Sequence, residues 1–520
     1  MTPMGPLFSF GTAGIRARAG DGDGELNERT VRAIADAVLA HLATLGPDAR
    51  GRGVCLGFDG RKDSRAFAAV VQEAARHAGF LVRAFAEPCP TPLLAFATRT
   101  HGAVAGFMIT ASHNQAADNG IKLYLAGGGQ ITAPHDAAIE ERLRSMTAAP
   151  REPEVPVARG ALLSLGERET SDYLATLLRL WPVDARLPLP GLAYTATFGV
   201  GAVLTRQVLA QAHAVAHEVF AQCEIRADFG GLQSPNPEHE EALTALRQCA
   251  EEVHAEVAFA HDPDADRLAV LARDRSGKLR ALSGDEVGAL IGDDILALAA
   301  DPERCLVATT HVSGDLLTHI AKARGAHHLR TNTGFKWITS EARALAKEHG
   351  LSYLFGYEEA IGYAFGMLGD DKDGVAALHV MLGLIRRARA RGHSLLDRLH
   401  ALFRSHGVHA SRQMTVCLDG ANPQREALMT RFARAAVDQV LGQTGTCIDH
   451  RLSAAPATLL ELRSDAGRRV CVRPSGTEPK LKLYLHVREN VGPDETVEAA
   501  EARSQVALDA LEARVRQQLS

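Results

Sequence analysis

Ser112 stands in the pentapeptide Thr110-Ala-Ser-His-Asn114, and further along the chain reads His261-Asp-Pro-Asp-Ala-Asp-Arg267. A serine at its free pKa is almost wholly protonated, so Ser112 can act as a nucleophile only beside a base, a metal or a reactive phosphoryl group. His113 and Lys122 are the nearest groups able to help. Asp262, Asp264 and Asp266 place three carboxylates at i, i+2 and i+4. Extended, successive members would stand roughly 6.6 Å apart, so the loop must curl for their oxygens to surround one ion, and Pro263 helps set that bend. Without a cation the three charges repel one another. A calcium EF-hand register fits badly, because its sixth position is Arg267 rather than glycine and its twelfth is Arg273 rather than glutamate. Mg2+ is the expected ion.

Three more stretches have an inventory for chemistry. Phe10-Gly-Thr-Ala-Gly-Ile-Arg16 can bring backbone N–H groups to an anion while Arg16 adds charge. Arg473-Pro-Ser-Gly-Thr-Glu-Pro-Lys480 offers a guanidinium fork, the hydroxyls of Ser475 and Thr477, the open backbone of Gly476 and the ammonium of Lys480, which together suit a phosphate. Glu358 and Glu359 lie between Gly356 and Gly362 and could accept hydrogen bonds from vicinal sugar hydroxyls. Each stretch alone also reads as an ordinary polar turn.

The elements that must hold these loops follow from hydrophobic patterning. Val104–Ile109 is a short apolar run whose length and flanks suit a buried strand, so that strand ends just before Ser112. Ligands in α/β proteins dock beyond such strand ends. Strands are expected near 54–58, 81–85, 192–197, 257–260, 305–310 and 353–355, alternating with helical patterns near 30–45, 65–78, 168–180, 237–252, 315–324, 375–391 and 395–405. Three times an apolar strand runs into a loop of chemically capable residues. From about Val408 the pattern turns antiparallel, with a helix near 424–441 and a charged terminal helix. The expected division is 1–187, 188–303, 304–407 and 408–520, with Pro150–Pro156 read as a connection.

A chain of 520 residues exceeds one core and fits three or four domains of roughly 100 to 200 residues. Its net charge of −5 has no basic tract, which argues against nucleic acid or a membrane surface as partner. Eight cysteines without CxxC spacing suit a reduced, cytoplasmic protein.

Taken together, Gly11–Arg16, Thr110–Asn114, Asp262–Arg267, Glu358–Gly362 and Arg473–Lys480 resemble, in order and spacing, the α-D-phosphohexomutases, the phosphoglucomutase and phosphomannomutase superfamily. The resemblance covers essentially the whole chain. It implies three related α/β domains with mixed sheets and a C-terminal α+β domain similar to the TATA-binding protein, arranged around a central cleft. It implies that Ser112 is the phosphoserine, and that Asp262, Asp264 and Asp266 hold Mg2+ with a phosphoserine oxygen. Glu358 and Glu359 would then face the sugar. Arg473, Ser475, Gly476, Thr477 and Lys480 would hold the distal phosphate, with Arg16, His113, Lys122, Arg267 and Lys336 around the reacting groups. The implied activity interconverts a sugar 1-phosphate and 6-phosphate, of glucose or mannose, by way of a bisphosphate that also serves as activator; a monomer or homodimer is expected. Ala360 departs from the serine many members carry, and Tyr357–Gly362 with Thr333–Ile338 resembles the longer branch that includes phosphopentomutases and glucose-1,6-bisphosphate synthases. A phosphatase using an aspartate of Asp262–Asp266 as nucleophile is the rival from another class. It leaves Ser112 and a second phosphate loop unexplained.

Overall fold

The computed structural model describes residues 8–11, 13–145, 158–418, 423–452, 458–474 and 480–519. Its first sheet has six strands in the order Ile15–Arg18, Asp118–Leu125, Ala105–Ile109, Val54–Phe58, Val82–Phe85, Leu162–Leu165. The last four are parallel, whereas Asp118–Leu125 returns antiparallel beside Ala105–Ile109. Val54–Phe58 and Ala105–Ile109 are buried at every residue, which is why they read as unbroken apolar runs rather than alternation. The helix Glu28–Leu42 starts where Asn27 accepts the Thr30 backbone N–H and Thr30 Oγ1 accepts that of Asn27, a reciprocal cap. The sequence reading missed the helix Thr91–Thr100, whose apolar residues run nearly all round because it is buried on most sides.

The second sheet is ordered Leu279–Ala281, Leu268–Arg273, Val257–His261, Leu192–Thr195, Ala216–Glu218, and the third His327–Thr331, Cys305–Thr310, Ser352–Glu358, Gly362–Phe365. In both, a parallel strand is followed directly by an antiparallel neighbour: Val257–His261 by Leu268–Arg273, and Ser352–Glu358 by Gly362–Phe365. The first sheet does the same at Ala105–Ile109. Each of these three turns holds a non-glycine residue at positive φ: Ser112 at 54°, Ala265 at 58° and Ile361 at 52°. Such a conformation costs of order 1 kcal/mol or more and persists only where the surroundings enforce it. The repeat that residue identity hides is therefore visible in topology and backbone.

The fourth sheet is wholly antiparallel, in the order Val408–Cys417, Lys480–Glu489, Arg468–Pro474, Leu460–Arg463, Thr446–Asp449. One face carries Leu481, Leu483, Leu485, Val470, Val472, Leu460 and Leu462, packed with Leu508, Leu511 and Val515 of the helix Val497–Leu519. The other face carries Lys482, Tyr484 and His486 beside Arg473, Cys471 and Arg469. This is the expected α+β unit with a period-two sheet. The helix expected over 424–441 is two, Pro423–Arg434 and Val437–Leu441, parted at Ala436 in extended conformation. All eight cysteines are free. Among the described residues no helix is long and apolar enough to cross a membrane.

Candidate active site

Ser112 is 1 % exposed, so its hydroxyl is held rather than merely displayed. Its Oγ donates to Asp262 Oδ2 at 2.8 Å and lies 3.1 Å from His113 Nδ1. The loop is fixed from beneath by Arg61, which donates to the carbonyls of Ser112 and Asn114 through Nη2, and of Gln115 and Asp118 through Nη1, at 2.7 to 2.8 Å. Arg61 is itself buried and paired with Asp59 at 3.3 Å. One planar fork thus gathers four carbonyls and sets the serine's position. Arg16 Nη1 donates to Asn114 Oδ1 at 2.9 Å. The chain reaches that point through Gly14, at φ 87°, where a Cβ would fall 2.3 Å from the Ile121 carbonyl oxygen. Only glycine allows this approach.

The three aspartates are fully buried, and one oxygen of each lies within 4.8 Å of the others. Lys122 Nζ donates to Asp264 Oδ2 and Asp266 Oδ2, both at 2.5 Å, and Lys372 Nζ approaches Asp266 Oδ2 at 3.0 Å. Thr91 Oγ1 donates to Asp264 Oδ2 at 2.5 Å. Burial, then the charge of Asp266, pushes the carboxyls of Asp262 and Asp264 up. Burial acts the same way on Asp266, but Lys122, Lys372 and Arg267 outweigh it and hold that group ionised. Asp264 Oδ1 and Asp266 Oδ1 are buried and accept no hydrogen bond. An ion bound through oxygen would satisfy them, so the residues fit a hard divalent cation. Burial, then Arg267 and Arg16, pushes His113 well below its ordinary value and keeps it neutral.

A cleft of about 580 Å³ opens in front of these groups, and all four units line it. His113 and Gln130 come from the first, Glu238 and Arg267 from the second, Glu358, Glu359 and Lys372 from the third, and Gln413, Arg473, Lys482 and Tyr484 from the fourth. Glu358 Oε1 accepts from Gly334 N at 2.5 Å, and Glu359 Oε2 from Ser313 Oγ at 3.1 Å. Burial first, then Glu359, raises the Glu358 carboxyl to about 7. Arg267 Nη1 donates to Glu238 Oε2 at 3.0 Å, while Leu268 N donates to the Ile361 carbonyl at 3.1 Å, joining the aspartate turn to the glutamate turn.

Most sequence-read residues therefore converge. Lys122 bonds the aspartates rather than Ser112. Lys336 does not line the cleft: its Nζ lies 3.8 Å from Asp136 Oδ2 and over the Trp337 ring, and Lys372 supplies the third unit's cation instead. Lys480 begins the strand Lys480–Glu489. Ser475, Gly476 and Thr477, like Thr12 and the connection at 150–156, lie outside the described residues. The sequence reading missed Arg61, Lys372, Glu238, Lys482, Gln413 and Tyr484. The alternation Lys482-Leu-Tyr484-Leu-His486 carried a signal for two of them, since period two puts every second residue on one face. Arg61 follows the end of the strand Val54–Phe58 in Asp59-Gly-Arg61, a position where ligands or their supports gather.

Comparison with known proteins agrees with this architecture. Four family models match in order: the phosphoglucomutase/phosphomannomutase α/β/α domains I, II and III over residues 8–149, 172–277 and 283–405, and the C-terminal domain of that family over 433–503. A Haemophilus influenzae protein named "Probable phosphomannomutase" is 34% identical over 84% of this chain and 88% of its own length. A mouse phosphopentomutase is 30% identical over 93% of this chain and 84% of its own. The open form of a Paramecium phosphoglucomutase, pp63/parafusin, superposes with a TM-score of 0.74 at 16% identity, covering 98% of this chain and 96% of that one, a likeness of fold. The chain belongs to the phosphoglucomutase/phosphomannomutase family of the α-D-phosphohexomutase superfamily.

Proposed function

We propose that this protein is a phosphohexomutase that interconverts the 1-phosphate and 6-phosphate of glucose or mannose through a phosphoserine at Ser112. The observation that carries the reading is the placement of a buried, clamped Ser112 Oγ, 2.8 Å from Asp262 and 3.1 Å from a neutral His113, beside a cleft to which all four units contribute. In the forward half-reaction the phosphoryl group leaves Ser112 Oγ and bonds to the free sugar hydroxyl, giving a bisphosphate, while the proton that hydroxyl loses ends on Ser112 Oγ by way of His113. In the return half, the other phosphate transfers to Ser112 Oγ, whose proton His113 Nδ1 is placed to accept and pass on to the sugar oxygen that leaves. Asp262, Asp264 and Asp266 would hold Mg2+ with an oxygen of the phosphoserine, and the ion would supply neutralisation of charge on the transferring phosphoryl group. Lys122, Arg16, Arg267 and Lys372 add positive charge from the protein. Arg473 and Lys482, with Ser475, Gly476, Thr477 and Lys480, would grip the phosphate that does not react, while Glu358 and Glu359 take the sugar hydroxyls. A sugar bisphosphate would prime the serine, and a cytoplasmic setting suits that chemistry.

A pentose phosphate is the second reading. Ala360, between the sugar-facing glutamates and Ile361, removes a hydroxyl that many relatives offer, and the mouse relative is a phosphopentomutase. One panel decides: glucose, mannose, glucosamine and ribose 1-phosphates with Mg2+ and bisphosphate primer, plus mass spectrometry of the protein after turnover. A stable phosphate on an aspartate with Ser112 unmodified would favour the phosphatase and end the mutase reading. A glucose-1,6-bisphosphate synthase would instead accumulate bisphosphate.

A further inference from the structure

A second cluster of metal-capable side chains lies where the third and fourth sheets meet. His311 follows the strand Cys305–Thr310, with its N–H bonded to the Thr331 carbonyl at 2.9 Å. His450 opens the turn after Thr446–Asp449, its N–H bonded to the Leu459 carbonyl at 3.0 Å. Glu461 sits in the strand Leu460–Arg463, paired with Cys471 on one side and Ile448 on the other. Backbone hydrogen bonds therefore hold all three in place. His450 Nε2 lies 3.0 Å from Glu461 Oε2, the two imidazole centroids are 4.4 Å apart, and one ligand atom from each residue falls within 4.8 Å of the other two. Glu461 is 3 % exposed and its Oε1 accepts no hydrogen bond.

We propose that His311, His450 and Glu461 form a second cation site, for a borderline transition metal such as Zn2+, that clasps the fourth sheet to the third. Two imidazoles and a carboxylate leave a fourth position for water, a ligand set zinc accepts. Tetrahedral zinc needs neighbouring ligand atoms about 3.3 Å apart, so the site need close by roughly 1.5 Å at most; both histidines are only partly buried, which lets their rings turn. The surroundings select against Mg2+. Arg330, Arg463 and Arg469 all pair with Asp315, and with Glu461 counted the neighbourhood keeps one excess positive charge. A hard ion bound by charge gains little there, whereas metal–imidazole bonds favour zinc, copper or nickel. The arginines also orient the carboxylate from behind, Arg463 Nη1 at 3.7 Å and Arg469 Nη1 at 3.9 Å from Oε1. Arg469 in turn donates to the His311 carbonyl at 2.6 Å, and two residues beyond Cys471 on the same face of its strand stands Arg473 in the cleft. The clasp would thus fix the phosphate-gripping strand against the unit that carries Glu358.

The test is equilibrium dialysis of the full chain against Zn2+ in excess Mg2+, with elemental analysis. One zinc per chain is expected for the wild type and for Asp264→Asn, and none for His311→Ala or His450→Ala. Zn2+ should raise the melting temperature of the wild type and not of His450→Ala. Co2+ in its place should give the visible bands of a tetrahedral nitrogen-ligated ion, which reads the site without any variant. No zinc on the wild type, zinc retained by both histidine variants, zinc lost from Asp264→Asn, or an octahedral all-oxygen Co2+ spectrum would each overturn the proposal.

Discussion

The wall of the cleft that carries Ser112 and the aspartates differs from the wall made by the fourth sheet in how its charges are settled. On the first wall Ser112, Lys122, Asp262, Asp264 and Asp266 are at most 1 % exposed, and Lys122 and Lys372 are already paired to carboxylates. On the second, Arg473 and Lys482 are only partly buried and Gln413 is exposed, and all three line the cavity. Removing ions from water costs several kcal/mol each, so the buried wall is stable only as a closed set, and any group taken from it leaves a charge uncompensated. Such a wall suits phosphoryl transfer, which needs preorganised charge and little water. The more open wall would suit the proposed turnover of a bisphosphate, which has to release one phosphate and take another.

This contrast predicts graded damage. Ser112→Ala should fold, by circular dichroism, yet lose on the order of 10⁴-fold or more in turnover, because no other hydroxyl of its loop meets the same partners. A variant with wild-type turnover would remove Ser112 from the mechanism. Asp264→Asn should cost about 10² to 10³ in kcat while calorimetric binding of a sugar phosphate survives, since the second wall still grips it. Parallel loss of binding would mean the two walls do not divide the work.

Arg61→Lys keeps the charge near Asp59 but cannot reach four carbonyls, so kcat should drop roughly 10- to 100-fold with KM little changed. Unchanged kcat would show that the serine turn holds itself. Arg473→Lys, on the open wall, should raise KM about tenfold for the 1-phosphate and 6-phosphate alike. A defect confined to one isomer would mean that this wall recognises a single orientation.

The smallest effect concerns pH. Glu358 has a folded value near 7, above an unfolded carboxyl near 4.5, so the folded state binds the extra proton between those values and stability contributed by the neutral group falls as pH rises through that window. Ionised Glu358 is the better acceptor for sugar hydroxyls. KM should therefore fall a few-fold from pH 6 to 8 with an inflection near 7, and Glu358→Gln should flatten the profile. An inflection that persists in that variant belongs to another group.

Local signals were strong wherever function is packed into a few consecutive residues. The strands Val54–Phe58 and Cys305–Thr310 were legible as apolar runs, and Asp262–Asp266 as a loop that must curl, because burial and charge repulsion act on the residues themselves. The helix Thr91–Thr100 was not legible, since its burial on most sides erases the periodicity that marks a helix. Lys336 and Lys372 show the other limit. Both are lysines at the edge of the third unit, and a sequence cannot say that one turns to Asp136 while the other meets Asp266, because direction depends on elements brought together from far along the chain.

The amino-acid order by itself thus determined which loops could carry chemistry, that Ser112 needed partners, that the three aspartates needed compensating positive charge, and that antiparallel pairing would follow residue 408. Those follow from residue chemistry and from periods of two and 3.6. Only the tertiary structure decided that Lys122 serves the aspartates, that Arg61 holds the serine turn, that Lys482 and Tyr484 share the cleft with Glu358, and that His311 meets His450. Each of these pairings joins residues on separate strands or units, and only packing the sheets together brings their side chains within bonding distance.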